Sequence, residues 1–126
     1  WKIEIPGAPQ ALGPYSQAIA TGAGTHIFVS GQLGIDPETN ALTTGGIAAQ
    51  TEQAIKNVLA IVRAGGRQAA IVKTTVYLQH LEDFAAMNEI YARLFAPPYP
   101  ARACIEVAAL PKGALVEIEA IAVLEG

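Results

Sequence analysis

Tyr99–Glu119 reads YPARACIEVAALPKGALVEIE, and the fold of the chain depends on how this stretch is read. Arg102, Cys104 and Glu106 alternate with Ala101, Ala103, Ile105 and Val107, so a period of two gathers the polar set on one face of a strand. A second strand follows. Val116, Ile118, Ala120, Ala122 and Leu124 share one face, and Glu117 and Glu119 share the other with Leu115, Ile121 and Val123. Leu110-Pro111-Lys112-Gly113-Ala114 supplies turn residues between them, so the spacing predicts a hairpin. In that register Glu117 lies opposite Val107, five residues from Arg102 or about 16 Å along the strand, too far for a direct ion pair. An arginine and carboxylates on so apolar a pair of strands are either a structural ion-pair set or a binding site.

Upstream, Lys2–Ile5 predicts a short strand closed by Pro6-Gly7. Residues 8–16 form a Pro/Gly-rich loop, in which Tyr15 by itself reads as an aromatic capping the edge of the core. Gln17–Ala20 and His26–Gln32 read as two strands joined as a hairpin through Thr21–Thr25. Ser30-Gly31-Gln32 ends the second, and a glycine there marks a bulge or a close backbone approach. Asp36–Ala41 is a turn.

From Ile47, apolar residues at Ala54, Ile55, Val58, Ile61 and Val62 predict a helix ending at Gly65-Gly66. Ala70–Leu78 alternates as a strand, with Val72, Thr74, Val76 and Leu78 on one face. Glu82–Phe95 predicts a second helix, stopped by Pro97-Pro98. Its Phe84, Met87 or Asn88, Tyr91 and Leu94 or Phe95 fall at core spacing. The expectation is a single α+β domain over residues 1–126, an antiparallel-rich sheet with two helices on one face. The long crossovers through helices leave room for a parallel pair.

Composition limits what the domain can do. At 126 residues it is 52% hydrophobic and 15% charged, apolar for a domain this small, and no run reaches the roughly 20 residues of a membrane helix. The excess points to a subunit interface. A net charge of −3 argues against a general nucleic-acid binder. The lone Cys104 cannot form an internal disulfide, which suits a reducing compartment such as the cytoplasm. Nothing at the N-terminus resembles a targeting peptide, although a chain starting at Trp1 without Met can lack a few residues.

His26 and His80 stand apart from other ligand types at metal spacing. The glycine pairs fit no phosphate-loop frame, and Cys104 lacks a histidine partner and reads as a small core residue. No metal or cofactor is expected. What remains is chemistry for a small organic anion. The planar fork of Arg102 pairs bidentately with a carboxylate, and a glutamate in a half-dry cleft exchanges protons near neutrality.

Five motifs occur in order: Gly13-Pro14-Tyr15-Ser16-Gln17-Ala18, Val29-Ser30-Gly31-Gln32, Tyr99-Pro100-Ala101-Arg102, Leu110-Pro111-Lys112 and Glu117-Ile118-Glu119-Ala120-Ile121-Ala122. Each alone is common. Together, over essentially the whole chain, they resemble the RidA (YjgF) family of enamine/imine deaminases. The resemblance implies a chorismate-mutase-like fold assembled as a homotrimer with clefts between subunits. It also implies hydrolysis of 2-imino acids or their enamine tautomers to 2-oxo acids and ammonia. Arg102 would hold the substrate carboxylate, Glu117 would position or activate water, and the main chain at Cys104 would contact the ligand. Tyr15, Gly31 and Asn88 match further cleft positions. Two other function classes remain open at this point: a non-catalytic binder or sensor of small carboxylates, and an RNA-cleaving or translation-inhibiting protein, an activity also ascribed to the family.

Overall fold

The structure, a computed structural model, describes residues 1–126. Its centre is a four-stranded sheet built from β3 (Gly24–Leu33), β6 (Ala70–Leu78), β7 (Ala101–Glu106) and β8 (Val116–Glu125), in the order β3-β8-β6-β7. β8 runs antiparallel to both β3 and β6, and β6 runs parallel to β7. The helices α1 (Gly46–Gly65) and α2 (Phe84–Leu94) cover one face. Two short ribbons complete the chain, β1 (Lys2–Ile3) with β2 (Ala18–Ile19) and β4 (Ile35–Asp36) with β5 (Ala41–Leu42).

Two expected hairpins are absent. The 99–119 stretch does form two strands, but β6 lies between them. Val107 N–H donates to Leu78 O and Gln79 N–H donates to Leu115 O. The connection therefore leaves β7 beside the end of β6, turns through Pro111–Gly113, and enters β8 on the far side. Lys112 and Gly113 take left-handed conformations in that turn. The physical reason lies in β6, whose Thr74, Val76 and Leu78 are fully buried. A central position gives this strand two ladders, and the connection is long enough to straddle it. The second missing hairpin is the one through Thr21–Thr25, because β2 pairs with β1 rather than with β3.

The core lies between the sheet and the helices. Ala54, Ile55, Val58 and Val62 of α1 and Met87 and Tyr91 of α2 meet Val76, Leu78, Val116, Ile118 and Ala120. Polar side chains fasten α1 to the strands. Gln50 Oε1 accepts from Leu115 N–H at 2.9 Å, and Asn57 Nδ2 donates to Leu33 O at 3.2 Å and to Ile35 O at 2.9 Å. Gly34 lets the helix come this close, since a Cβ there would sit 2.6 Å from both the Cα and the carbonyl oxygen of Gln50. No helix is long and apolar enough to cross a membrane.

The other face of the sheet carries no covering layer. Phe28 is 75% exposed there and Ile105 is 47% exposed. Phe28 pairs with Ile121, and Tyr77 pairs with both Glu117 and Ile105.

Candidate functional site

Arg102 aligns with Thr74 of β6, and residues paired across a sheet project to the same side. Arg102 therefore faces the helices. Its Nη1 donates to Asn88 Oδ1 at 2.6 Å. The guanidinium carbon lies 4.8 Å from the ring centre of Tyr91, 5.5 Å from Phe84 and 5.6 Å from Tyr15. Phe84, Asn88 and Tyr91 form one stripe of α2 at i, i+4 and i+7. Tyr15 reaches the cation from the loop before β2, where its hydroxyl accepts from Leu12 N–H at 3.3 Å.

Tyr91 is the fixed floor of this nest. It is fully buried, and its hydroxyl shares a 2.8 Å hydrogen bond with that of Thr74. Burial pushes its phenol up from the ordinary range, against smaller opposing effects of the Thr74 hydrogen bond and the Arg102 charge. Core packing thus locks the ring on which the guanidinium lies.

The chain's three ion pairs are Lys2–Glu4, Lys56–Glu52 and Arg93–Glu52. Arg102 belongs to none. A guanidinium carries five N–H donors, and Asn88 takes one of them. A half-buried cation held by rings and an amide, with donors free and no carboxylate opposite, has the chemistry to take an anion.

Cys104 lies two residues along β7 on the same side, packed against the core. Burial pushes its thiol up, and Arg102 pulls it down by less. The side chain therefore stays protonated near neutrality and is a poor nucleophile. Because β7 is an edge strand, alternate main-chain N–H groups along it point away from the sheet.

Glu117 and Gly31 come together on the opposite face. Between Val29 and Gln32 the β3–β8 register shifts, and the bulge at Ser30-Gly31 lies over the β8 carboxylates. A Cβ on Gly31 would overlap the Glu117 carboxylate, so the glycine makes room for it. Beside them Tyr77 donates to Glu119 Oε1. That bond, followed by burial and then by the charges of Glu119 and Glu117, raises the Tyr77 phenol above its ordinary range.

The structure thus brings Tyr15, Asn88, Arg102 and Cys104 together on one face, and Gly31 with Glu117 on the other. The sheet separates the two sets. Arg102 and Glu117 form no ion pair, as expected from the hairpin register, but the cause differs: they are not offset along neighbouring strands but lie on opposite sides of a sheet. Sequence reading assigned Phe84 and Tyr91 to the core. Tyr91 is in the core and also underlies the cation, whereas Phe84 is 37% exposed. The stripe they share with Asn88 was the signal available in the sequence. Glu106, on the polar face of β7, accepts from Leu81 N–H at 2.8 Å at the entry to α2, a structural role. His26 stacks on Phe28, and no cluster of three metal-ligating side chains occurs.

Residues 6–124 match the family model described as Endoribonuclease L-PSP. A "RutC family protein y4sK" from Sinorhizobium fredii is 55% identical over 120 residues, covering 94% of each chain. A human protein named 2-iminobutanoate/2-iminopropanoate deaminase is 48% identical over 122 residues, covering 96% of this chain and 88% of that one. The crystal structure of Escherichia coli TdcF with bound serine is 41% identical, covers 99% of each chain and superposes with a TM-score of 0.75.

Proposed function

Because the chain belongs to the endoribonuclease L-PSP family, that of the YjgF and RidA proteins, we propose that it hydrolyses reactive 2-imino acids, and their enamine tautomers, to 2-oxo acids and ammonia. The observation that carries this reading is the Arg102 guanidinium, walled by three rings, held by Asn88 and facing no carboxylate of its own chain. It is fit to grip the carboxylate common to all such substrates. Related proteins named as deaminases of 2-imino acids support the choice of reaction.

Glu117 completes the site from a second copy. The uncovered sheet face, with Phe28 and Ile105 exposed, is the surface on which copies would associate as a chorismate-mutase-like homotrimer. Association places Glu117 and Gly31 of one subunit against the Arg102 nest of the next. Tyr15 walls the nest, and a main-chain N–H near Cys104 contacts the ligand.

In this arrangement Arg102 holds the carboxylate of a protonated imine. The Glu117 carboxylate takes a proton from water as the water oxygen bonds to the imine carbon and the C=N π electrons move to nitrogen. Glu117 then returns that proton to the nitrogen of the carbinolamine. The C–N bond breaks as the carbonyl forms, ammonia leaves, and the hydroxyl proton goes through Glu117 to ammonia. One iminium and one water give one 2-oxo acid and one ammonium ion. No metal or cofactor is needed, because a protonated C=N carbon is already electrophilic. This chemistry belongs in the cytoplasm, where amino-acid metabolism releases such imines.

The test generates 2-imino acids in situ with an amino-acid oxidase and follows their decay. Wild-type protein is expected to accelerate hydrolysis. Glu117→Gln is expected to keep binding 2-oxo acids while turnover falls about 10²- to 10⁴-fold, the usual worth of a general base. The serine-bound relative also fits a binder of small carboxylates. Binding of 2-oxo acids without faster imine decay would establish that reading instead. RNA cleavage that survives Arg102→Ala, with no imine hydrolysis by the wild type, would establish an RNA-directed activity. Cys104→Ala is expected to keep most of its turnover, and complete loss in a folded trimer would place the thiol in the mechanism.

A further inference from the structure

Three rings wall the Arg102 guanidinium, and two of them, Phe84 and Tyr91, are fixed by the helix that carries them. Tyr15 is the exception. It lies in residues 4–17, which join β1 to β2 with no helix and no strand beyond a single bridge at Ser16. Its hydroxyl accepts from Leu12 N–H, a tether that belongs to the same loop and moves with it. Packing does not confine the ring either, since Tyr15 also lines a cavity of about 330 Å³ that Arg102 does not line. The ring has open space beside it, and something else must keep it 5.6 Å from the cation.

The next two residues in the chain do so. Ser16, 4% exposed, sews the end of the loop to the residues just before Arg102. Its N–H donates to Pro100 O at 3.2 Å, its hydroxyl donates to Tyr99 O, and it pairs with Ala101. Gln17 ties the beginning of the loop. Its Oε1 accepts from Ile5 N–H at 2.8 Å, and its Nε2 donates to Ile5 O at 3.1 Å and to Pro9 O at 2.8 Å, with Ala8 O at 3.4 Å. One side chain thus meets both main-chain polar groups of Ile5, and does for residues 5–9 what a neighbouring strand would do. The amide closes residues 5–17 into a loop with its two ends held together and Tyr15 inside it.

Resting on the reading that Arg102 grips the substrate carboxylate, we propose that Gln17 is a positioning residue for that grip. By closing the loop it holds Tyr15 against the guanidinium before any ligand arrives, so the anion meets a nest that is already built. Without the amide the loop keeps only its Ser16 anchor, and the ring leaves the cation for part of the time. Setting the wall in place then draws on the binding energy of the anion. The expected signature is weaker binding and a raised KM with kcat little changed, because the grip acts equally before and during the reaction. The size of the effect is about two- to five-fold, the worth of one cation–π contact at a partly exposed site.

The experiment is a double-mutant cycle. Calorimetry with 2-oxobutanoate and steady-state kinetics on imines made in situ are run on wild type, Gln17→Leu, Tyr15→Ala and the double variant. Gln17→Leu, similar in size and without hydrogen bonds, is expected to weaken binding and raise KM by about two- to five-fold. In the double variant binding is expected to be no weaker than in Tyr15→Ala alone, because Gln17 acts through the ring. Gln17→Glu keeps the acceptor for Ile5 N–H and loses the donors, so it is expected to lie between wild type and Gln17→Leu. It also serves the same cycle where Gln17→Leu does not fold. A wild type that hydrolyses no imine, with the calorimetric cycle still non-additive, would sink the deaminase reading and keep the role of Gln17. Unchanged affinity in both Gln17 variants, or a penalty that adds in full to that of Tyr15→Ala, overturns the assignment, since a merely structural amide would behave in one of those two ways.

Discussion

Arg102→Ala is expected to reduce imine hydrolysis by about ten- to a hundred-fold through lost binding alone, the worth of about 1.5–3 kcal/mol of charge-assisted hydrogen bonding. Arg102→Lys is not expected to restore it. The reason is local. The guanidinium lies against Tyr91, Phe84 and Tyr15 while Nη1 is held by Asn88, so its plane is fixed and its remaining N–H groups form a ready fork. A lysine ammonium is a compact point charge on a flexible stem, more strongly hydrated and without the planar fork. Steady-state kinetics with both variants, alongside calorimetry with a 2-oxo acid, checks this. Near-normal turnover by Arg102→Lys would mean that charge alone is enough and that the aromatic nest is only packing.

The second large effect is a recovery. Arg102→Ala and Glu117→Gln are each expected to be nearly inactive alone, yet mixed oligomers of the two should regain turnover. Arg102 and Glu117 lie on opposite faces of one sheet, so each proposed site takes one group from each of two neighbours. Some junctions in a mixed trimer then pair an intact Arg102 with an intact Glu117. In a cyclic trimer that contains both variants, one junction of the three is intact, about a third of the wild-type number. Co-expression of differently tagged variants, purification through both tags and an imine-decay assay would measure it. If mixed oligomers stay as inactive as their parents, both groups serve a site within one subunit, or one of them serves none.

Much of the fold was legible because periodicity and punctuation agreed. Gly65-Gly66 and Pro97-Pro98 closed the two helices, and the alternation in 70–78 marked a strand. What the sequence hid was neighbourhood. Pro111 to Ala114 has the residues of a tight turn, and nothing in those letters says that β6 lies between the strands they connect. That is decided by the apolar face of β6, remote in sequence. The same limit affected the site. Arg102 stood out by its chemistry and Glu117 by the family resemblance, but the side of the sheet each occupies depends on a register fixed by β6. Tyr77 and Glu119 were visible only as alternating letters. Their hydrogen bond exists because β6 and β8 are neighbours, a pairing that the hairpin reading did not include. Ile61 shows the opposite failure, since its spacing matched the core stripe while the actual path of α1 turned it outward.

Because the proposed anion grip and proton acceptor lie on opposite sides of one sheet, the protein's behaviour in dilute solution should differ from that of a self-contained enzyme. If each half depends on a neighbour, a free chain carries two incomplete devices and performs neither binding-and-turnover cycle. Specific activity should then fall on dilution below the range where subunits stay associated, with a lag on re-concentration set by how fast copies meet. A freshly synthesised or partly degraded chain would hold no imine and release no ammonia until it had found its partners.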